Sequence, residues 1–288
     1  METAINLYPR RIVCLTEETT ETLYLLGEDW RIVGISGYTV RPPQARREKP
    51  KVSAFTSAKF DRIMELEPDL VFAFSDLQAD IARELIQRGL NVLTFNQRSV
   101  AEILQMILTI GRICGCADKA MQLVARLQSE LRQIEASASR FETRPRVFFE
   151  EWHDPLISGI RWVEELIEIA GGQPLYPELR ESKAAKDRIC DPKDVARRDP
   201  QVVIASWCGR AVKKSLIRQR EGWSRISAVR ERHIYELKST YILQPGPASL
   251  TEGVRQLHAL IARVAGCDVD SSLAPSEALD ADARTSVT

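Results

Sequence analysis

Five consecutive residues form the most polar cluster beside a predicted strand: Glu150, Glu151, Trp152, His153 and Asp154. Carboxylates and an imidazole can transfer protons, bind a metal, or hydrogen-bond the amides and hydroxyls of a ligand. The chain has only three histidines, and the other two fall at a predicted strand start and on a predicted helix. A multi-histidine site is hard to assemble from them, so we predict no metal site. Ligand binding and acid–base chemistry both stay open.

Signatures of the common enzyme and nucleotide-binding classes are absent from the sequence. It contains no Gly-x-Ser-x-Gly elbow, no glycine-rich phosphate loop and no His-Glu-x-x-His helix. The 40 basic and 40 acidic residues cancel, which argues against a nucleic-acid or membrane partner held by bulk charge. We therefore predict a small-molecule ligand bound at a local site, with no catalytic residues and no required cofactor.

The elements that position this cluster follow from hydrophobic periodicity. Short runs rich in β-branched residues alternate with helical patterns, which is typical of parallel, doubly wound sheets. The predicted strands cover residues 11–15, 31–35, 69–74, 91–95, 146–150, 201–206 and 233–237. Between the second and third strands, residues 41–50 carry three prolines and several charges, and we predict a surface loop there.

A nearly unbroken helical pattern from residue 100 to residue 140 separates the two groups of strands. One long helix there would span a whole lobe. The sequence therefore predicts an α/β protein with two Rossmann-like lobes joined by one long helix. The predicted boundaries are residues 1–112 for the N-terminal lobe, 113–143 for the connecting helix, 144–267 for the C-terminal lobe, and 268–288 for a disordered tail that lacks periodicity.

Aromatic residues concentrate where the predicted strands end. Ligands of open parallel sheets bind beyond the carboxyl ends of the strands, and aromatic rings offer rigid contact area there. Packing in a core or loop is the plainer explanation for any one of them, but the group at one edge favours a binding cleft. The candidates are Tyr38, Phe55, Phe74, Trp152, Trp207 and Tyr241.

Nearly the whole chain, from Arg11 to about Gly266, resembles the cobalamin and iron-chelate binding proteins of ABC importers. The segments that carry the resemblance are residues 20–27, 33–38, 42–45, 59–71, 157–159 and 170–172. The likeness is greatest to the cobalamin-binding members. It implies the class III periplasmic-binding-protein fold, with the ligand held in the cleft between the two lobes.

The resemblance also implies roles for individual residues. Tyr38 matches an aromatic residue that contacts the corrin, and Phe55 and Phe74 stand where tryptophans are expected. The second lobe departs from the pattern around Glu151–Leu156, which is more apolar in the family, and near Asp187 and Arg188, where the family offers a tryptophan. Thr240 and Gln244 replace an aspartate and an arginine. These changes leave open a different corrinoid or another ligand.

In exported relatives an acidic residue on each lobe docks onto arginines of the membrane permease, and the matching positions here are Asp61 and Lys193. A lysine facing arginines is unfavourable, so the sequence argues against an ABC permease partner. Ordinary solvated helix charge is the plainer explanation of both residues.

Residues 1–10 contain no unbroken apolar segment, so we predict no export signal and a cytoplasmic location. The leading hypothesis is non-catalytic binding of cobalamin or a related corrinoid or metal chelate, as a candidate ligand rather than a cofactor. One alternative is an enzyme on the same fold that uses Glu151, His153 and Asp154 as acid–base groups. Another is a periplasmic ABC-importer receptor whose start codon lies upstream.

Overall fold

The computed structural model describes residues 7–277 and residue 279, which divide into two compact units. The first unit takes in the described part of Met1–Gln97, together with Ala101–Arg126 and Pro245–Pro247. The second unit takes in Arg98–Val100, Leu127–Gln244 and the described part of Ala248–Thr288. Each unit contains its own β-sheet.

The sheet of the first unit is entirely parallel, with strand order β3-β2-β1-β4-β5. Its strands are β1 (Ile12–Cys14), β2 (Ile32–Ser36), β3 (Lys51–Ser53), β4 (Leu70–Phe74) and β5 (Val92–Phe95). The central strand β1 is fully buried, because helices cover both faces of such a sheet. The chain adds β2 and β3 on one side and then β4 and β5 on the other, so the order reverses at β1, where ligands of such sheets bind.

Four helices accompany this sheet: α1 (Glu17–Leu25), α2 (Pro43–Glu48), α3 (Phe60–Glu65) and α4 (Ala79–Gln87), with short 3-10 turns at Asp29–Arg31 and Asp76–Gln78. The predicted surface loop at residues 41–50 is wrong, because α2 occupies most of it. Pro43 takes the first helical position, where a missing N–H is not needed and the fixed φ suits a helix.

The sheet of the second unit has the order β10-β9-β6-β7, and β8 pairs with the start of β6. Its strands are β6 (Arg146–His153), β7 (Leu156–Ser158), β8 (Gln173–Pro174), β9 (Val202–Ala205) and β10 (Ile234–Glu236). Three of the four pairings are parallel, but β7 runs antiparallel to β6. The prediction of parallel sheets therefore needs this correction: β6 continues into a hairpin whose turn contains Asp154 and Pro155.

The remaining helices are α5 (Val100–Ile113), α6 (Ala117–Ala138), α7 (Arg161–Ile169), α8 (Pro192–Arg198), α9 (Lys214–Arg218), α10 (Ser227–Arg230), α11 (Ser239–Ile242) and α12 (Val254–Ala265). A π-helical turn, Ser249–Gly253, precedes α12, and 3-10 turns lie at Pro177–Leu179, Ala185–Arg188 and Trp223–Arg225. At 22 residues α6 is about 33 Å long, and the division between the two units falls within it. It is shorter than the predicted 113–143, because Gly115 adopts φ +72 and separates it from α5.

His258 of α12 has a structural role. It is fully buried, its two ring nitrogens lie 3.0 Å from the Ala170 carbonyl and 3.0 Å from Ser137 Oγ, and its ring stacks on Phe141. Burial lowers the pKa of this imidazole and keeps it neutral. The side chain therefore fixes α12 against the end of α6 and takes no part in the candidate site.

The prediction of a disordered tail is wrong for residues 268–277. A 3-10 turn, Ser271–Leu273, buries Leu273, and beyond it the backbone N–H and the hydroxyl of Ser276 donate to Glu252 at 2.9 and 2.6 Å. These contacts lower the pKa of Glu252 despite its burial. The rest of the predicted tail, residue 278 and residues 280–288, lies outside the described residues.

Two findings bear on the class of protein. Across residues 7–277, no helix is both long enough and apolar enough to cross a membrane. The six cysteines, all within the described part of the chain, are thiols rather than disulfides.

Candidate functional site

Glu150 organises the carboxyl edge of the second unit's sheet. Its side chain is fully buried and accepts hydrogen bonds from Arg220 at 2.7 and 2.9 Å and from the indole N–H of Trp207 at 3.1 Å. A buried carboxylate needs such partners, because desolvation strongly disfavours an unpaired charge. The pair with Arg220 therefore holds Glu150, and Glu150 in turn orients the Trp207 ring two residues beyond β9.

Trp207, His153 and Trp152 form what we call the aromatic cluster. The His153 ring stacks on Trp207 with a centroid distance of 4.4 Å, and the Trp152 ring lies 5.4 Å from His153. The Arg210 guanidinium lies 5.4 Å from the Trp152 ring. Trp207 is buried, whereas Trp152 and His153 are half-buried. The cluster thus offers partly accessible aromatic surface at the sheet edge.

Glu151 is held by an ion pair and is not a free acid. Both of its oxygens accept from Arg188, at 2.7 and 3.0 Å, and Arg188 also donates to the Ser158 carbonyl. Arg188 is only 1% exposed. The family resemblance places Arg188 near a position where the family has a tryptophan. Nothing in the sequence around Arg188 indicated its ion pair with Glu151.

Residues 150–154 were predicted to lie at and beyond the end of a strand, and the structure places most of them inside it. Strand β6 continues to His153, so Glu151, Trp152 and His153 lie within the strand instead of beyond its end. Asp154 is exposed in the hairpin turn, and its carbonyl accepts from the Trp152 indole N–H at 3.0 Å. The predicted residues do converge on one edge, but their carboxylates point to different partners.

Behind the Glu151–Arg188 pair lies a second buried acid, Glu164, which sequence reasoning missed. It is 3% exposed, and burial raises its pKa to about 8, while Arg180 and Arg188 partly oppose the rise. Its oxygen Oε1 would lie 2.2 Å from a Cβ at position 159, so Gly159 is required for this packing. Glu164 is therefore protonated at neutral pH.

The aromatic candidates of the first unit lie at its carboxyl edge. Tyr38 and Phe55 follow the ends of β2 and β3 by two residues, and Phe74 is the last residue of β4. Tyr38 is 55% exposed, whereas Phe74 is only 6% exposed. The buried Gln78 links two of them: it accepts from the Phe74 N–H at 2.9 Å and donates to the Phe55 carbonyl at 2.9 Å.

Three carboxylates in the first half of α1 are also buried in the first unit: Glu17, Glu18 and Glu21. Burial raises the pKa of Glu17 to about 8 and that of Glu18 to about 7. Repulsion from Glu21 adds to both shifts, and repulsion from Glu18 adds to that of Glu17. Glu18 accepts from the Thr16 hydroxyl at 2.6 Å, and Glu21 pairs with Arg41 at 3.0 Å. The sequence indicated acidic residues in the first turn of a helix but not their burial.

Tyr241 and Gln244 differ most from their predicted setting. Tyr241 lies in the short helix α11 instead of at a strand end, and it is 6% exposed with its hydroxyl donating to Glu277. Gln244 is half-buried at the end of the second unit's main segment. Tyr241 is thus largely inaccessible, because the segment predicted as a disordered tail contacts it.

The two predicted partner-docking residues are both exposed. Asp61 on α3 pairs with Arg88 at 2.9 Å, and Lys193 lies in the first turn of α8. Within residues 7–277, no group of three histidine, cysteine, aspartate or glutamate side chains is arranged to hold a metal ion.

A family model described as periplasmic binding protein matches residues 12–241, about four fifths of the chain. The chain belongs to this family. Its predicted class III fold and its identification as a binding protein are thereby confirmed, and it is a solute-binding protein and not an enzyme.

Relatives in this family support the assignment. The chain is 27% identical, over 89% of its length and 81% of the relative's, to an uncharacterized ABC transporter substrate-binding lipoprotein, YvrC, of Bacillus subtilis. It is 24% identical to the vitamin B12-binding protein of Vibrio parahaemolyticus, over 86% of this chain and 88% of that one.

Solved structures show the same fold. The vitamin B12 binding protein BtuF of Vibrio cholerae superposes with a TM-score of 0.70 at 19% identity, covering 89% of this chain and 98% of that one. The heme-binding protein RhuT of a Roseiflexus species gives a TM-score of 0.77 at 20% identity, covering 89% and 99%.

Proposed function

We propose that this protein binds cobalamin or a closely related corrinoid, with the carboxyl edge of the second unit's sheet as part of its site. The observation that carries the proposal is the aromatic cluster: His153 stacks on Trp207 at 4.4 Å beside the half-buried Trp152. Rigid aromatic surface suits a broad, flat ligand and costs little conformational entropy on binding. Relatives named as vitamin B12-binding and cobalamin-binding proteins support this ligand class.

The first unit carries its own set of groups suited to such a ligand. Tyr38 is exposed at the end of β2, and the protonated forms of Glu17 and Glu18 favoured by burial can donate hydrogen bonds. Cobalamin carries amide side arms around its ring, and amides accept such hydrogen bonds. Phe55 and Phe74 add apolar surface whose positions Gln78 fixes.

Catalysis by Glu151, His153 and Asp154 is not favoured. A general base must be able to reach the proton that it removes, but both Glu151 oxygens are engaged by Arg188. Asp154 is exposed on the hairpin turn, and its side chain makes none of the contacts described for the aromatic cluster. These groups instead define the shape and polarity of a binding surface.

Titration with cyanocobalamin tests the proposal. We expect saturable quenching of tryptophan fluorescence, and a coloured species of matching mass in native mass spectra of protein purified from its own host. Trp152→Ala should weaken binding at least tenfold, because it removes a large, partly accessible ring of the cluster. Trp30→Ala is the matched control, since Trp30 is 53% exposed and is stacked by Arg31 elsewhere in the first unit.

Three results would refute the proposal: no quenching by cyanocobalamin, equal loss of affinity in both variants, or selective binding of hemin. The last would assign the site to the ligand of the heme-binding structures.

The cytoplasmic location and the lack of an ABC permease partner remain predictions. Asp61 already pairs with Arg88, and Lys193 carries the opposite charge to the acidic residue implied by the resemblance. The location can be tested by fractionating the native host and detecting this chain with an antibody. Its appearance in the exported fraction would contradict the cytoplasmic location.

A further inference from the structure

A cavity of about 470 Å³ opens on the second unit and shares no residue with the aromatic cluster. It lies between α8 and the turn that leads from α9 to α10. Its lining residues are Lys193, Ala196, Arg197, Glu221, Gly222 and Arg225. Trp223, which is fully buried, ties the two walls together, since its indole N–H donates to the Pro192 carbonyl at 3.0 Å. The cavity is therefore part of the packed structure and not a gap between loose loops.

The charges that line the cavity are unbalanced. It contains three cations and one carboxylate, Glu221, and all four side chains belong to exposed residues. Lys193 and Arg225 have no ion-pair partner among the residues that the structure describes. The chain as a whole is neutral, so this excess is local and not a consequence of composition.

The carboxylates next to the cavity bind groups other than the Lys193 and Arg225 side chains. Asp194 bonds Arg197, Arg198 and the Tyr176 hydroxyl, and Glu178 pairs with Arg198 at 2.5 Å. Asp191 caps α8 by accepting the Lys193 backbone N–H at 2.9 Å. These contacts lower the pKa values of Asp194 and Glu178, so both stay ionised and paired. Arg197 is partly neutralised, whereas Lys193 and Arg225 keep their full charge on opposite walls.

We propose that this cavity docks an acidic segment of a protein partner. Two carboxylates of such a segment would pair with Lys193 and Arg225, and the small residues Ala196 and Gly222 leave room for a side chain between them. Exposed cations on long stems suit a protein interface, where charge complementarity sets specificity and association rate. A closed site for a small anion would instead surround it with buried donors, and the charged residues that line this cavity are exposed.

The proposal is independent of the corrinoid site. The sequence alone favoured ordinary solvated charge as the explanation of Lys193. The proposal gives Lys193 a binding role instead, because it lines the same cavity as Arg225, 32 positions later in the chain.

The test uses the full chain and two fluorescent octapeptides, one alternating Asp and Leu and the other alternating Asn and Leu. Fluorescence anisotropy should show at least tenfold tighter binding of the acidic peptide. Lys193→Glu combined with Arg225→Glu should weaken that binding at least tenfold, and the milder Lys193→Gln with Arg225→Gln should fall between. The matched control is Lys183→Glu, an exposed residue outside the cavity.

Each outcome decides the proposal. Loss of binding in the cavity variants, with Lys183→Glu unchanged, supports it. Equal weakening by Lys183→Glu, no preference for the acidic peptide, or complete displacement by millimolar inorganic phosphate overturns it, since the last result would assign the cavity to a small anion. Cyanocobalamin titration of the same variants should be unchanged, so failure here is separable from failure of the corrinoid proposal.

Discussion

Replacing Arg220 by methionine is expected to lower the free energy of unfolding by about 3–5 kcal/mol, because it leaves Glu150 buried without its ion-pair partner. Glu150 is fully buried, and both of its oxygens accept from Arg220. Among the residues that the structure describes, the Trp207 indole N–H would then be the one side-chain donor left to the carboxylate. Urea-induced unfolding at pH 7, followed by circular dichroism, measures the loss.

The control is Arg83→Met, which removes an exposed ion pair with Asp80. Exposed pairs contribute about 0–1 kcal/mol, so this variant should be near wild type. The double variant Glu150→Leu with Arg220→Met should recover most of the loss, because an apolar pair can replace a buried ion pair at little cost. A loss in Arg220→Met no larger than that in Arg83→Met would contradict the assigned role of the pair.

The same pair connects stability to binding. Glu150 orients Trp207, and the His153 ring stacks on Trp207. A change at Arg220 therefore acts on the aromatic cluster through two successive contacts without touching the ligand itself. Under the proposed function, stability and ligand affinity at this edge would both depend on one buried carboxylate, which is the kind of support that a precisely shaped site requires.

Hydrophobic periodicity was sufficient to predict most strands of both sheets. The run at residues 69–74 became β4, because a continuous buried strand has few alternatives in an α/β chain. The run at residues 91–95 became β5, although only Phe95 of that strand is buried. Strands β3, β7 and β8 were missed, and each of them is only two or three residues long. The antiparallel direction of β7 depends on the turn after His153, which no hydrophobic pattern encodes.

The sequence predicted where the candidate aromatic residues lie along the strands, but not their contacts. Within each unit most of them lie at the carboxyl edge of the sheet, because the carboxyl ends of parallel strands share one side. Their role in ligand binding stays a prediction. Arg188 and Glu151 are 37 residues apart, and their pairing depends on how the hairpin packs against the turn at Ala185–Arg188. The sequence also did not predict the burial of Glu17, Glu18 and Glu164, because charged residues on helices are usually solvated.

A large effect of pH on stability is expected from Glu164. Its carboxyl is almost fully buried, and its pKa of about 8 in the folded state exceeds the value of 4.5 for an unburied group. A raised pKa means that the folded protein holds this proton more tightly than the unfolded chain does. The stability that it contributes is therefore complete below pH 4.5 and is lost as the pH rises toward 8.

Glu164→Gln removes this titration while keeping a side chain of similar shape. Relative to wild type, the free energy of unfolding of the variant should rise by roughly 4 kcal/mol between pH 5 and pH 9, at about 1.4 kcal/mol per pKa unit. Glu17 and Glu18 also have raised pKa values and change the free energy of unfolding with pH in the same direction. Both residues are present in the variant and in wild type, so their contributions cancel when the two proteins are compared. Glu142→Gln, at an exposed residue, should show no such rise. If the difference between Glu164→Gln and wild type stays constant from pH 5 to pH 9, Glu164 is ionised in the folded protein, and the arginines beside it outweigh its burial.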